Sequence, residues 1–592
     1  MTSTPEPRRR GWLAGALALS LAAGAQAAPG AIDLAAAQAA LARGDGIAAE
    51  AALNRALAAG AQRAQVASAM GEAWLEQGEL RQARAWLSGG FAPGTELHGY
   101  RMLGRLERAE GNLAAAGAAY DAALRVAPRD AALWVDIARL RYAGGAQRQA
   151  IEAADEALRC DPRHPRALEL RGQLVRDRFG PSAALAWFEA GLAAAPDDPG
   201  LLGEYAATLG ELDRASDMLA VTRRLLAVAP GNGRAFYLQA VLAARAGDGA
   251  LARGLLNRMP DDLRDSPAGL LLQGALELEA GNFTIAIDLF DRLTRLQPAN
   301  ARAQELLARA MTEAGSRDEL LARFAPLAQR ADASPYLLTL VARAFEDSGR
   351  RDLAAPLLDR AARAGAPPLV PIGNSGADAQ GRVRALIAAG QAGAAAELAE
   401  SARAANPGSG DAQALAGDAQ LAQARPGEAL QRYRLALEVR LSPGLLTRML
   451  AALGAAGQPG EQGALAAGWF AGNPASPIGM RLAAALAAAR SDWDAAATLL
   501  EGARSRGGER DALLLADLSL AQLRAGESDA ALATARRAYS LAPGSAAVSQ
   551  AYGMVLAADR RTARAARILL TKARAIGGDN PLLAQALAKL PR

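Results

Sequence analysis

A pattern of about 34 residues recurs along almost the whole chain of 592 residues and constrains its fold more than any other feature. In residues 97–130, counted from 97 as position 1, small residues stand at positions 8, 20 and 27 and large apolar residues at 4, 7 and 24. A glycine stands at position 15 and a proline at 32. These marks are Tyr100, Leu103, Gly104, Gly111, Ala116, Tyr120, Ala123 and Pro128. The spacing predicts two helices per unit, joined by a tight turn.

Sixteen units can be placed in phase, starting near residues 30, 64, 97, 131, 165, 199, 233, 267, 301, 335, 376, 410, 443, 477, 512 and 546. The small positions allow the two helices of a unit to pack closely, and the large ones fill the space between them. The proline near position 32 ends the second helix, since it has no N–H for the helical ladder. No unit can bury its apolar face alone, so stability must come from stacking on its neighbours.

This pattern resembles the tetratricopeptide repeat (TPR), whose 34-residue consensus residues 97–130 follow closely. The resemblance implies an all-α TPR α-solenoid, a right-handed superhelix of helix-turn-helix repeats. It also implies that the first helices line a concave groove that binds other proteins. Composition agrees, because hydrophobic residues make up 51% and aromatics only 4%, so the apolar mass is Ala and Leu, both strong helix formers.

The predicted organisation has five parts. Residues 1–27 have the layout of a signal peptide, with arginines at 8–10, an apolar stretch at 11–23 and cleavage after Ala27. Export by the general secretory route, a twin-arginine signal and a retained N-terminal anchor all stay open. Residues 28–364 form an N-terminal TPR solenoid of about ten repeats, and 376–579 a C-terminal one of about six. A Pro- and Gly-rich linker at 365–375 separates these two lobes, and 580–592 form a capping helix.

One local departure from the period is also predicted. Met259 and Pro260 come early in their unit, so its second helix should be truncated and followed by a loop through Asp262.

Several functional classes are disfavoured by composition. The formal charge is +5, from 66 basic and 61 acidic residues, which is too balanced for a nucleic-acid-binding protein. With two histidines and one cysteine, we expect no metal site, no cofactor and no enzymatic activity. The acidic residues are expected on solvent-facing helix positions. Cys160 is predicted to be a partly buried, inert thiol, with an intermolecular disulfide as the alternative.

The candidate partner-binding groove comes from first-helix positions 2, 5, 9 and 12, which face the groove in the TPR family and share one helix face here. Three consecutive units place cations and one tyrosine there: Arg101, Arg105, Arg108, Arg139, Tyr142 and Arg176. Guanidinium groups favour carboxylates, so the expected ligand is an acidic peptide segment, a protein C-terminus or an anionic polysaccharide. The alternative is a solvated basic face partly neutralised by Glu107 and Glu110.

The sequence therefore predicts a non-catalytic interaction scaffold in the periplasm or secreted, with no membrane span after signal cleavage. Its layout resembles TPR proteins of Gram-negative envelope assembly or exopolysaccharide export. Two alternatives stay open: a general envelope scaffold or regulator, in division or peptidoglycan control, and an enzyme-associated subunit.

Overall fold

The computed structural model describes residues 29–42, 44–298, 300–330, 333–362 and 377–590, and these ranges contain helices and no β-strand. Sixteen helix pairs follow one another within these ranges, and each first helix begins within one residue of the start predicted from the sequence. Ten pairs precede residue 363 and six follow residue 376. The predicted signal peptide and the predicted linker lie outside the described residues and stay predictions.

The first ten pairs are α1 (Pro29–Ala42) and α2 (Gly46–Ala58), α3 (Arg63–Glu76) and α4 (Leu80–Leu87), α5 (Glu96–Ala109) and α6 (Leu113–Val126), α7 (Ala131–Ala143) and α8 (Gln147–Cys160), α9 (Pro165–Phe179) and α10 (Pro181–Ala194), α11 (Pro199–Glu211) and α12 (Ala215–Val228), α13 (Gly233–Arg245) and α14 (Gly249–Leu256), followed by the single helix α15 (Asp261–Arg264), then α16 (Pro267–Glu279) and α17 (Phe283–Leu296), α18 (Ala301–Glu313) and α19 (Arg317–Ala328), and α20 (Pro335–Asp347) and α21 (Arg351–Ala362).

The last six pairs are α22 (Ala377–Ala388) and α23 (Ala392–Ala405), α24 (Gly410–Ala422) and α25 (Pro426–Leu437), α26 (Pro443–Ala455) and α27 (Pro459–Gly472), α28 (Pro477–Ala489) and α29 (Trp493–Ser505), α30 (Ala512–Arg524) and α31 (Ser528–Leu541), and α32 (Ala546–Leu556) and α33 (Ala563–Gly577), followed by α34 (Pro581–Ala588). Among the described residues, two short 3-10 helices, Gly508–Arg510 and Arg560–Thr562, lie in connections between these helices.

The chain divides into two compact units, Met1–Pro128 and Arg129–Arg592. The described part of the first unit holds repeats 1–3, and the second holds repeats 4–16 with α34. In the second unit, Leu583 of α34 and Leu590, which follows this helix, belong to the same hydrophobic cluster as residues of α33. Within the described ranges, no helix has both the length and the apolar character that crossing a membrane would require.

Large and small positions within a repeat meet as the period predicts. In four repeats the glycine at position 8 lies against the aromatic ring at position 24, so closely that a Cβ on the glycine would overlap the ring. These pairs are Gly104 with Tyr120, Gly172 with Phe188, Gly274 with Phe290, and Gly417 with Tyr433. The four aromatic residues are at most 1% exposed. The ring therefore fills the space that the missing side chain leaves, which explains the 16-residue spacing of the two marks.

In most repeats the residue at position 15 has a left-handed backbone conformation, whether or not it is glycine. Gly111 and Gly281 have φ of 84° and 79°, in the left-handed region that glycine adopts freely. Asp213, Ala424 and Ser491 occupy the same turn with φ of 63°, 58° and 62°. The stacked helices therefore impose this turn even where the local residue disfavours it.

Helix ends follow the predicted proline signal. The second helices α6, α8 and α10 end two residues before Pro128, Pro162 and Pro196. The next first helix is then capped by a polar side chain, as where Asp130 accepts a hydrogen bond from the Leu133 N–H at 2.6 Å.

The repeat beginning at Gly233 departs from the period as expected in one respect and differs in another. Its second helix, α14, has only eight residues and ends at Leu256, as predicted. The segment through Asp262 is not a loop, however, because α15 begins at Asp261. Two acidic residues in the first turn of this helix complement its dipole.

Candidate functional site

The first helices form the inner layer of each unit. Successive first helices contact one another, as α3 contacts α5 in the first unit and α9 contacts both α7 and α11 in the second. Successive second helices make no contacts of comparable extent in the described residues. A solenoid curves toward the layer in which successive helices lie closer together. The first helices therefore line the concave side of each unit. The six predicted groove residues all lie on first helices and are half-buried.

In the first unit, Glu72 of α3 pairs with cationic side chains of α5. Its Oε2 atom lies 3.1 Å from His98 Nε2, and its Oε1 atom lies 3.9 Å from Arg105 Nη1. Burial tends to raise the pKa of Glu72, but the hydrogen bond with His98 and the charges of Arg105 and Arg101 outweigh it and hold the pKa below its ordinary value. Two of the predicted cations are thus compensated by one carboxylate of the preceding repeat. Arg108 lies in the last turn of α5, where a cation complements the helix dipole.

In the second unit, Arg139 faces a buried carboxylate of the following repeat. Its Nη2 atom lies 3.7 Å from Glu169 Oε1, and Arg166 Nη1 lies 3.4 Å from the other oxygen of Glu169. Glu169 is 6% exposed. Its pKa is raised, because burial outweighs the opposing charges of Arg139 and Arg166.

Arg176 repeats this arrangement one repeat further along. Its Nη1 atom lies 3.0 Å from Glu204 Oε2 and donates a hydrogen bond to Thr208 Oγ1 at 3.2 Å. Arg234 donates to the other oxygen of Glu204 at 2.8 Å. Burial tends to raise the pKa of Glu204, but the hydrogen bond and charge of Arg234 and the charge of Arg176 together lower it. Within each unit, cations of the first helices thus face carboxylates of a neighbouring repeat, and we call this arrangement the inner charge ladder of that unit.

Tyr142 is held in place rather than presented to solvent. Its hydroxyl donates a hydrogen bond to Asp177 Oδ2 at 3.2 Å. Burial raises the pKa of Tyr142 to about 12, and the charge of Asp177 adds to this effect while Arg440 opposes it. The Leu441 N–H donates a hydrogen bond to the Asp177 carbonyl at 3.0 Å, so a repeat far along the chain lies near this ring.

Two expectations from the sequence are wrong. Glu107 and Glu110 do not neutralise the predicted groove cations, because both pair with Arg84, whose Nη1 atom lies 2.8 Å from Glu107 Oε1. Acidic residues are also not confined to solvent-facing positions. Asp136, Glu169, Glu204 and Asp418 are buried on first helices, where the neighbouring repeat covers them.

The carboxylates of the inner charge ladder were not recognised in the sequence, although a signal exists. Each lies about one repeat from its cation, as Glu72 does from Arg105, and on the same first-helix face. Whether Arg101, Arg105, Arg108, Arg139, Tyr142 and Arg176 bind a partner stays a prediction.

The remaining polar candidates have ordinary environments. The Cys160 side chain is half-buried, as predicted, and burial raises the pKa of its thiol, while an intermolecular disulfide stays an untested alternative. Among the described residues, no group of three or more His, Cys, Asp or Glu side chains is arranged to hold a metal ion.

Stacked helix pairs with matched small and large positions define the class of α-solenoids. The tetratricopeptide repeat family model matches residues 101–165, 135–199 and 271–337. The chain is therefore an all-α tetratricopeptide-repeat solenoid, as its sequence predicts. This fold generally serves as a non-catalytic scaffold that binds other proteins.

The chain is similar to several known proteins over parts of its length. The chain is 32% identical over 264 residues to the cellulose synthase 2 operon protein C of Komagataeibacter xylinus, a match that covers 38% of this chain and 19% of that protein. A tetratricopeptide repeat protein from Parabacteroides merdae is 18% identical, with a TM-score of 0.31, over 40% of this chain and 93% of its own. The human IFIT1 dimer is 14% identical, with a TM-score of 0.37, over 64% of this chain and 91% of its own.

Proposed function

We propose that this chain is a non-catalytic scaffold of the periplasm or cell envelope that gathers the proteins of an exopolysaccharide export system. The observation that carries this proposal is the 32% identity over 264 residues to a protein named for a cellulose synthase operon. The signal-peptide layout of residues 1–27 supports export from the cytoplasm.

The inner charge ladder suggests how a partner binds. Arg105 and Arg139 retain about a third of their side-chain surface, at 30% and 32% exposure, while each faces a carboxylate of a neighbouring repeat. The exposed part of each guanidinium can pair with a carboxylate of an acidic peptide segment while Glu72 and Glu169 stay in place and hold the guanidinium in position, so little side-chain entropy is lost on binding.

Charge variants test this mode of binding. Glu72→Gln keeps the shape of the side chain and removes its charge, so it should strengthen binding of an acidic segment, while Arg105→Glu should weaken it. Arg295→Glu is the control, since Arg295 lies on α17, a second helix, and is 68% exposed. Unchanged partner binding in both Glu72→Gln and Arg105→Glu would exclude this part of the proposal.

Photo-crosslinking in the native host identifies the partner. A photoreactive residue at Gln173, on the inner face of α9, should capture proteins encoded with an exopolysaccharide synthase. The control is the same residue at Ile285, which is 53% exposed on α17. Capture only at Ile285 would contradict binding by the inner face.

Deletion and fractionation test the pathway and the location. Deleting the chain should abolish extracellular polymer while polymer synthase activity in membranes persists. The mature protein should appear in the periplasmic fraction with a mass that begins at Ala28. Normal polymer output, or an unprocessed cytoplasmic chain, would reject the proposal.

A further inference from the structure

Within the second unit, two distant stretches of the solenoid touch along their edges. One edge consists of the turns inside repeats 4, 5 and 6, at residues 144–149, 177–180 and 213. The other consists of the loops that follow repeats 11 to 14, at residues 406–410, 441, 472–473 and 506. Residues that are hydrogen-bonded across this contact are separated by 260 positions, as for Arg148 and Gly408, to 293 positions, as for Asp213 and Arg506. We call this contact the seam.

Hydrogen bonds join the backbones across the seam. The Arg148 N–H donates to the Gly408 carbonyl at 3.2 Å, and the Leu441 N–H donates to the Asp177 carbonyl at 3.0 Å. A further backbone donor, the Gly410 N–H, is buried and bonded to Gln147 Oε1 at 2.9 Å. A buried N–H without a partner is costly, so the bond to Gln147 makes Gly410 depend on the opposite edge.

Glycines allow this close approach. A Cβ on Gly180 would lie 2.6 Å from the Gly472 carbonyl oxygen, and one on Gly472 would overlap the Phe179 carbonyl oxygen. The φ of Gly472 lies outside the left-handed region, so its own backbone tolerates a side chain. Its nearest neighbours all belong to Phe179 and Gly180, on the opposite edge of the seam. Glycine is therefore required at 472 by the seam and not by its own repeat.

An ion pair at the next repeat explains an unusual turn residue. Asp213 occupies the left-handed turn position where most repeats have glycine. Its Oδ2 atom lies 2.7 Å from Arg506 Nη2, which belongs to the loop after repeat 14. A residue that strains its own turn thus supplies a bond across the seam.

We propose that the seam is an intramolecular latch that holds the second unit as a closed coil, with one superhelical turn seated on the next. A helical ribbon has one edge made of turns inside repeats and one edge made of loops between repeats, and the seam joins these two different edges. The latch therefore fixes the spacing between successive superhelical turns, and with it the curvature of the inner face. Opening it releases the coil without unfolding any repeat. The latch does not depend on which partner the inner face binds.

The variant Gly472→Ala tests the latch in the full chain. Its methyl group should separate the two edges, raise the radius of gyration in X-ray scattering and remove the hydrogen-exchange protection of the Leu441 and Arg148 amides. Gly468→Ala is the matched control, because Gly468 lies in the same helix α27 and a Cβ there meets nothing within 4 Å. Identical scattering and exchange for the two variants would overturn the proposal.

A disulfide across the seam provides a second test that does not depend on opening. In a Cys160→Ser background, Gly145→Cys and Asn406→Cys should form a disulfide, since a Cβ at 145 would lie 3.5 Å from Asn406 Cγ. The radius of gyration should then equal that of the wild-type chain. Gly145→Cys with Asn473→Cys is the control and should stay reduced. Equal thiol reactivity in the two pairs would show that the seam does not form.

Discussion

Asp418 and Arg448 form an ion pair in the interior of the solenoid, with Arg448 Nε 2.9 Å from Asp418 Oδ1 and both side chains at most 5% exposed. Tyr433 donates a hydrogen bond to the same Asp418 oxygen at 2.9 Å. Asp418 lies on α24, Tyr433 on α25 and Arg448 on α26, so the three residues connect two repeats. Arg448 stands at position 6 of its repeat, where several other repeats have leucine.

Arg448→Met should destabilise repeats 12 and 13 by about 3 kcal/mol at neutral pH, because it leaves the Asp418 carboxylate buried without its cation. Native-state hydrogen exchange of α24 and α26 measures this change. The control Arg425→Met removes an exposed partner of Glu428 and should change stability by no more than about 0.5 kcal/mol. Equal effects of the two substitutions would contradict a structural role for the buried pair.

The same pair should make stability depend on pH. Burial raises the pKa of Asp418 to about 6, against the opposing effects of Arg448 and Tyr433. The folded state therefore binds more protons than the unfolded state between the ordinary pKa of 3.8 and about 6. Asp418 thus contributes stability that is complete below pH 3.8 and is lost as the pH rises through about 6.

Comparison with Asp418→Asn isolates this effect, since the variant lacks the titration. The free energy of unfolding of the wild-type chain minus that of the variant should fall from pH 4 to pH 7 and then stay level. A difference that rises over this range would mean that the pKa of Asp418 is lowered instead.

Gly274→Ala should destabilise its repeat by about 1 kcal/mol, although alanine favours an isolated helix. The added Cβ would lie 2.5 Å from the Phe290 ring, and overpacking of this kind typically costs about 1–3 kcal/mol. Gly254→Ala is the matched control, since its Cβ would meet nothing within 4 Å, and it should stabilise by up to about 1 kcal/mol. The free energies of unfolding are measured with urea. An equal stabilisation of both variants would contradict the explanation that the ring at position 24 requires glycine at position 8.

Ala424→Gly should stabilise the chain by about 1 kcal/mol, because Ala424 is held at a φ of 58°, where a Cβ is strained. The comparison is Ala190→Gly on an exposed position of α10, which should destabilise by about 0.5–1 kcal/mol. Thermal unfolding midpoints should move in opposite directions. A drop in both would indicate that the turn does not strain Ala424.

Much of the local structure could be predicted from the chain alone. The starts of all sixteen first helices, the truncated α14 and the half-buried Cys160 follow from residues that act within one repeat. The candidate partner-binding groove could be predicted only in part. Arg105, Arg139 and Arg176 were placed on the first helices, but their partners Glu72, Glu169 and Glu204 lie in other repeats, so no pattern within one repeat includes them.

The repeat follows from the amino-acid sequence, because glycine at position 8, an aromatic ring at 24 and a turn at 15 meet within 34 residues of chain. Which charges are buried together, and where the coil touches itself, depends on contacts between different repeats. Those contacts depend on the small rotation between neighbouring repeats, which accumulates over about eight of them before Asp213 reaches Arg506. An error of a few degrees per repeat, invisible in the 34-residue pattern, would separate the edges of the seam entirely.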